Sequence, residues 1–136
     1  MPEKINVVIR TDNDIKVALF YVRKLLTKLS FSEVDKQKVI VSVSELTQNI
    51  LDHADSHGSF TCEEIGVCGI QIIVEDWGKG IDQLDEISDG RMKKRGLGLG
   101  LAGAKRLMDQ FHVETSKGGT KIIAVKWGES QKTKSR

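Results

Sequence analysis

The chain has 136 residues, 39% of them hydrophobic and 29% charged, which predicts one globular domain with a single core. Its 21 basic and 19 acidic residues leave a net charge of only +2, which disfavours the strongly basic surface of a protein that binds nucleic-acid phosphates. The chain shows no leader-like segment and no apolar run near the roughly 20 residues that span a bilayer, and its two cysteines make no disulfide framework. We therefore expect a cytoplasmic protein that binds neither nucleic acid nor membrane.

The first half of the chain predicts one strand followed by two helices. Apolar residues alternate over Ile5–Ile9, as in a strand with one buried face. The Asp12–Asp14 run offers N-cap chemistry for a first helix whose apolar residues recur at helical spacing as far as Leu29. Ser32-x-x-Asp35 resembles a capping box, which predicts a second helix that begins there and ends near Ala54.

The second half predicts two hairpins separated by a glycine-rich loop and a helix. Residues 59–64 and 68–75 have the pattern of the first hairpin, and His112–Ser116 and Thr120–Trp127 that of the second. Every second residue of Gly96–Gly100 is glycine, and a helix is expected after it.

This order of elements lacks the strand–helix–strand repeats of a doubly wound parallel sheet. It predicts an α/β (α+β) two-layer sandwich, in which a mixed, largely antiparallel sheet carries helices on one face. We expect residues 1–127 to form this domain and residues 128–136 to form a polar C-terminal tail.

A polar flank runs along the predicted second helix. Glu45 and Asn49 are four residues apart and so lie on one face, and Ser42, Asp52 and His53 lie on the same flank. A carboxylate can accept a proton or position a water, and an amide oxygen can coordinate a hard cation such as Mg²⁺. A solvated helix face has the same composition, so the helix alone does not establish a site.

A strand that ends in Asp76-Trp-Gly78-Lys-Gly80 forms a second candidate site. Glycine lets a ligand approach the main chain without a Cβ in the way. The carboxylate could accept a hydrogen bond from an amino group, such as the exocyclic amine of adenine. An ordinary tight turn explains the same residues.

Gly96-Leu-Gly98-Leu-Gly100 precedes a predicted helix, whose N-terminal N–H groups and positive dipole end suit phosphate. The basic run Arg91–Arg95 adds four cations, although such runs are usually solvated loops. Gly98–Gly103 also matches the dinucleotide-binding pattern GxGxxG, but no strand precedes it and residues 115–125 contain no acidic residue. A nicotinamide-binding fold is therefore disfavoured.

His53, His57, Cys62 and Cys68 are near one another in sequence and are candidate zinc ligands. Their spacing matches no compact ligand pair, and two of them fall on predicted strands. We expect the cysteines to be small reduced hydrophobic residues instead.

In chain order, these motifs resemble those of the GHKL (histidine kinase-like) ATPase superfamily. Ser44–Ala54 resembles its N box, Asp76–Ile81 its first glycine box, Gly96–Gly100 its second, and Gly118–Thr120 its last adenine-side element. Within the superfamily, the short chain and the stretch Gly98–Phe111 resemble the small bacterial serine/threonine kinases of partner-switching systems. The resemblance implies a Bergerat-type ATP-binding fold and an ATP-dependent protein kinase.

The resemblance also implies roles for the polar residues. Asn49 would ligate the Mg²⁺ that bridges the ATP phosphates, and Glu45 would act as general base on the acceptor hydroxyl. Asp76 would bind the adenine amino group, partly through a water that Thr120 also contacts.

Glycines would complete the implied site. Gly78 and Gly80 would shape the adenine floor. The N–H groups around Gly96, Gly98 and Gly100 would hold the phosphates as the loop closes like a lid. Arg91–Arg95 would be candidates for γ-phosphate or partner contacts.

The implied substrate is a serine or threonine of a STAS-domain protein of the stressosome type. A phosphoryl group adds about −1.5 to −2 charges, enough to disrupt an interface built for a neutral hydroxyl. The released kinase would then bind and activate a PPM-type metal-dependent phosphatase. Two alternatives stay open: an anti-sigma factor kinase that sequesters a sigma factor, and a non-catalytic nucleotide-binding regulatory module.

Overall fold

Three helices and five strands occupy residues 4–53, 58–76, 97–116 and 119–128, the part of the chain that this computed structural model describes. In chain order they are β1 (Lys4–Ile9), α1 (Asp12–Thr27), α2 (Glu33–His53), β2 (Gly58–Ile65), β3 (Gly69–Asp76), α3 (Leu97–Leu107), β4 (Gln110–Ser116) and β5 (Gly119–Trp127). The predicted order of strands and helices is confirmed over these residues.

A capping box begins α1. The Thr11 hydroxyl accepts a hydrogen bond from the Asp14 N–H at 3.3 Å, and the Asp14 carboxylate accepts one from the Thr11 N–H at 3.1 Å. The Arg10 N–H donates to the same carboxylate and holds the pKa of Asp14 below its ordinary value. Asp14 thus supplies the cap chemistry expected of Asp12–Asp14, while the N-cap itself is Thr11, which has the extended backbone of a cap.

The capping prediction for α2 is confirmed. The Ser32 hydroxyl accepts a hydrogen bond from the Asp35 N–H at 3.0 Å, which satisfies one of the N–H groups that have no partner within a helix. The helix then continues to His53, and the predicted end near Ala54 lies outside the described residues.

The five strands form one sheet in the order β1-β2-β3-β5-β4. All four neighbouring pairs among these strands are antiparallel, so the expected mixed character of the sheet is absent from the described residues. The cause is the connection after β3: the chain passes through α3 to the sheet edge and forms β4 there. β5 then returns between β4 and β3 and lies antiparallel to both.

One face of the sheet packs against the helices. Its inward side chains alternate with outward ones, as the strand pattern requires, and they meet the apolar stripes of the helices in a single core. Its largest fully buried side chains are Ile9, Val22, Leu25, Leu26, Val39, Val43, Leu46, Ile50, Phe60, Ile70 and Ile72. This arrangement confirms the predicted two-layer fold. None of the described helices has the length and hydropathy needed to span a membrane.

A buried cation joins α2 and α3 to one end of β5. Lys126 is only 4% exposed, and its Nζ donates to the Leu107 carbonyl oxygen at 2.9 Å. The same Nζ lies 3.4 Å from Asp109 Oδ1 and 3.8 Å from Asp35 Oδ1. Because Asp35 is in the first turn of α2 and Leu107 ends α3, α2 begins and α3 ends at the Lys126 end of the sheet.

We predict that Lys126→Met lowers the free energy of unfolding by about 3–5 kcal/mol, because Asp35 loses its buried cation and keeps only the partly exposed Lys38 at 4.0 Å. Urea denaturation at neutral pH measures the change. The exposed Lys16→Met variant is the control and should stay within about 0.5 kcal/mol of wild type. Equal stability of the two variants would contradict the assigned role of Lys126.

Candidate functional site

A polar row crosses the sheet at the end opposite the buried lysine. The strand register pairs Gly58 with Asp76, Asp76 with Thr120, and Thr120 with Thr115. On each of these strands, the residue two positions away from the row belongs to the core or packs against it. Because alternate residues of a strand lie on the same face, the row also faces the helices. Two predicted site residues from different motifs, Asp76 and Thr120, are thus direct neighbours.

The Thr120 hydroxyl is part of a small polar cluster. Thr120 is 4% exposed, and its Oγ1 lies 3.3 Å from Thr115 Oγ1. Each hydroxyl can donate one hydrogen bond and accept two, so the pair retains capacity for a further partner. Thr115 was not predicted as a site residue, because its position opposite Thr120 depends on the register of the β4–β5 hairpin, which the sequence pattern did not specify.

The second half of α2 lies over this row. A Cβ at Gly58 would collide with the Glu75 carbonyl oxygen and lie 3.1 Å from both Asp76 Cα and Ile50 Cδ1. Only glycine allows β2, β3 and α2 to approach so closely. Since Ile50 follows Asn49 in the chain, the last turns of α2 lie above the Asp76 end of the sheet.

Two buried polar atoms on α2 have no hydrogen-bond partner within the described residues. They are Ser42 Oγ and Asn49 Nδ2, seven residues apart on one helix face with the exposed Glu45 between them. The nearby Thr47 hydroxyl, by contrast, donates to the Val43 carbonyl oxygen at 2.7 Å. An unsatisfied buried polar group costs about 1–3 kcal/mol, and a bound ligand is one means of satisfying it.

α3 runs back along α2 toward the polar row. Its C-terminal end is fixed beside Asp35, and α2 is the element with which it packs most extensively. At roughly 1.5 Å per residue, α3 is about 16 Å long, which brings its first turn to about the level of Glu45. The first N–H groups of a helix have no intrahelical partner and can donate to groups outside the helix.

The glycine motif before α3 differs from the predicted loop. Leu97–Gly100, expected to be irregular, forms the first turn of α3. Glycine weakens a helix without forbidding it, and the apolar residues that follow anchor the segment to the core. Gly98 and Gly100 therefore contribute helical N-terminal N–H groups instead of loop N–H groups.

Several predicted residues lie outside the part of the chain that the structure describes. They are Gly78, Gly80, Gly96, His57 and the Arg91–Arg95 run. Among the described residues, Asp76 and Thr120 are adjacent, and Glu45 and Asn49 share one face of the helix above them. Their chemical roles remain predictions.

The alternative zinc site receives no support from the described residues. Within them, no group of three or more His, Cys, Asp or Glu side chains could hold a metal ion. Cys62 and Cys68 are both buried and free of disulfides. Burial raises the pKa of the Cys62 thiol to about 12, so this residue is an unreactive core side chain.

Two comparisons with known proteins identify the family of this chain. The family model described as a histidine kinase-like ATPase domain matches residues 10–126. The serine/threonine-protein kinase RsbT of Bacillus subtilis is 39% identical over 124 residues, which are 88% of this chain and 92% of that protein. Both matches confirm the family resemblance, and the second confirms the predicted enzyme class.

Solved structures with lower identity share the fold. The structure of the RsbU and RsbW domains of Rv1364c from Mycobacterium tuberculosis matches with a TM-score of 0.68 and 17% identity. That match covers 93% of this chain and 32% of the other, so this chain spans about a third of it. The mycobacterial sensor histidine kinase MprB matches with a TM-score of 0.58 and 18% identity, over 95% of this chain and 99% of that chain. The predicted fold class is confirmed.

We predict that Ser42→Ala stabilises the unliganded protein by about 1 kcal/mol, because it removes an unsatisfied hydroxyl and raises helix propensity. Urea denaturation without nucleotide measures the change. Thr47→Val is the matched control: it removes a bonded hydroxyl on the same helix and should destabilise by about 1 kcal/mol. If both variants lose stability equally, the Ser42 hydroxyl has a partner and the interpretation is wrong.

Proposed function

The chain belongs to the histidine kinase-like ATPase domain family, and we propose that it transfers phosphate from ATP to a STAS-domain protein in a partner-switching module. Homology with RsbT identifies it as a serine/threonine protein kinase. The observation that carries the proposal is the convergence of two distant motifs. Asp76 and Thr120 are paired in the sheet directly below the helix that bears Glu45 and Asn49.

Adenine would bind at the polar row. The Asp76 carboxylate, at the end of β3, would accept a hydrogen bond from the exocyclic amine. The buried Thr120 hydroxyl beside it would contact the same amine through a water. Gly78 and Gly80 would complete the floor of this pocket.

The triphosphate would extend from there toward the first turn of α3. The N–H groups of Gly98 and Gly100, which have no partner within the helix, would donate to phosphate oxygens at the positive end of the helix dipole, as would that of Gly96. The helical backbone of Leu97–Gly100 supports this assignment.

Asn49 would hold Mg²⁺, and its surroundings fit that role. An amide oxygen is a hard donor, and Mg²⁺ needs only one or two protein ligands when phosphates supply the rest. The Asn49 Nδ2 is buried without a partner among the described residues; as a donor it would need an acceptor, such as a phosphate oxygen, while Oδ1 would ligate the ion. When bound, Mg²⁺ supplies neutralisation of the negative charge on the phosphates.

Glu45 would act on the protein substrate. Its exposed carboxylate, one turn before Asn49, would accept the proton of the acceptor hydroxyl. The hydroxyl oxygen then forms a bond to the γ-phosphorus, the bond from that phosphorus to the β–γ bridging oxygen breaks, and ADP leaves. Such proton transfer contributes about 10²–10⁴-fold to the rate.

The homology with RsbT supports a partner-switching role. A phosphoryl group on the STAS-domain protein would weaken its interface with the kinase through added charge. The released kinase would then bind and activate a PPM-type phosphatase. The anti-sigma factor alternative differs only in the partner, and a stable complex of this chain with ADP and a sigma factor would favour it instead.

We predict that Asp76→Ala lowers the affinity for ATP by about 10- to 100-fold, the value of a hydrogen bond to a charged group. Inosine triphosphate lacks the exocyclic amine, so wild type should prefer ATP over it and Asp76→Ala should not. Titration calorimetry measures the four affinities. Glu75→Ala, a neighbouring carboxylate on the opposite sheet face, should keep the wild-type preference; loss of the preference in both variants would count against adenine recognition by Asp76.

We predict that Glu45→Gln slows phosphate transfer to a STAS-domain protein by about 10²–10⁴-fold while ATP affinity changes little. Labelled ATP with Mg²⁺ measures transfer. Glu63→Gln, on the open face of the sheet, should transfer at the wild-type rate. Transfer by Glu45→Gln at that rate would exclude the general base, and binding without transfer by wild type would favour the regulatory module.

A further inference from the structure

An apolar groove of about 480 Å³ lies between the N-terminal half of α2 and the C-terminal end of α3. It is lined by Glu33, Val34, Gln37, Lys38, Val41 and Leu107. Val34 is 65% exposed and Val41 44% exposed, which is unusual for aliphatic side chains grouped on one helix. The groove lies outside the residues assigned to ATP, so the proposed nucleotide site leaves it unused.

The groove leads to the proposed general base. Val34, Val41 and Glu45 are separated by seven and four residues, so they form one outward stripe along α2. Val41 is one helical turn, about 6 Å, from Glu45. A chain segment lying along this stripe would therefore deliver a side chain to the Glu45 carboxylate.

The floor of the groove is fixed and continues along α3. The Leu107 carbonyl oxygen is held by buried Lys126 at 2.9 Å, so the end of α3 cannot shift without breaking that bond. One turn earlier, a Cβ at Gly103 would meet nothing within 4 Å. Open space beside α3 thus extends from Leu107 toward the N-terminal end of that helix.

The rim of the groove carries more cations than carboxylates. Lys38 lines the groove and lies 4.0 Å from Asp35 Oδ1, a carboxylate that is shared with Lys126, and the exposed Arg106 directly precedes Leu107 on α3. Glu33 is the acidic residue among those that line the groove, and it is paired with Lys36 at 3.2 Å. A partner with acidic residues beside apolar ones complements this surface.

We infer that this groove docks the segment of the protein substrate that carries or adjoins the acceptor serine or threonine. The segment presents apolar side chains to Val34, Val41 and Leu107 and acidic residues to the cations of the rim. The inference rests on the proposed kinase function. It adds that substrate selection resides in the first half of α2, apart from ATP recognition.

The test compares Val41→Asp with wild type in phosphorylation of a recombinant STAS-domain protein. Because Val41 is exposed, the variant should fold normally, with unchanged thermal stability and ATP affinity. We expect KM for the STAS-domain protein to rise at least tenfold with a smaller change in kcat, since docking is separate from chemistry. Val67→Asp, at a 65% exposed valine in the β2–β3 turn, should leave both constants unchanged.

Cross-linking locates the contact directly. Cys62 and Cys68 are buried, so Val41→Cys provides an accessible thiol for a benzophenone maleimide, and Val67→Cys is its control. With a non-hydrolysable ATP analogue and Mg²⁺, the label at position 41 should cross-link to the STAS-domain protein and the label at 67 should not.

Each outcome of these experiments is decisive. An unchanged KM in Val41→Asp, or equal cross-linking at both positions, overturns the groove while the kinase function stands. Cross-linking of position 41 to a second copy of this chain also overturns it, because the groove is then a self-association surface. If wild type neither binds nor phosphorylates the STAS-domain protein, the proposed function fails and the groove assignment fails with it.

Discussion

The buried Lys126 ammonium is the constraint from which the arrangement of the helices follows. It lies on the inward side of β5, where periodicity places an apolar residue, and is tolerated because Leu107, Asp109 and Asp35 surround it with oxygen atoms. Asp109 also accepts a hydrogen bond from the Trp127 N–H at 2.7 Å. Three separate segments therefore meet at one charge, and the start of α2 and the end of α3 are held at the same level of the sheet.

From this fixed end, two helices run to the opposite end of the sheet. Thr120 and Lys126 are six residues apart on β5, about 20 Å at roughly 3.3 Å per residue. Asp35 and Ile50 are fifteen residues apart on α2, about 22 Å at roughly 1.5 Å per residue. Because these two lengths are nearly equal, the second half of α2 reaches the Asp76 row. α3 runs in the opposite direction and therefore begins near Glu45. The candidate site therefore lies at the end of the sheet where Lys126 does not hold the ends of α2 and α3.

Much of this architecture was predictable because it depends on local patterns. Alternation predicted β1, the Ser32 cap predicted the start of α2, and the glycines at 118 and 119 predicted a hairpin of β4 and β5, although its register, which pairs Thr115 with Thr120, was not predicted. The start of α1 was less predictable because Thr11 competes with three adjacent residues of similar capping ability. Sequence motifs placed Asp76 and Thr120 in one implied site, but their adjacency depends on the β3–β5 pairing, which connects segments separated by α3 and β4. The role of Lys126 was unpredictable, since a lysine on a strand is ordinarily exposed.

The two faces of α2 match the two roles proposed for this helix, in ATP binding and in docking of the protein substrate. Its Ser42–Asn49 face is buried and carries polar atoms that the fold leaves unsatisfied, whereas its Val34–Val41 stripe is exposed and apolar. Each feature costs stability in the isolated chain, the first through desolvation and the second through apolar surface left in water. Glu45 lies where the two meet, at the boundary between buried and exposed surface. In the proposed mechanism Glu45 takes a proton from the protein substrate while ATP supplies the phosphate, and a side chain at this boundary can contact both.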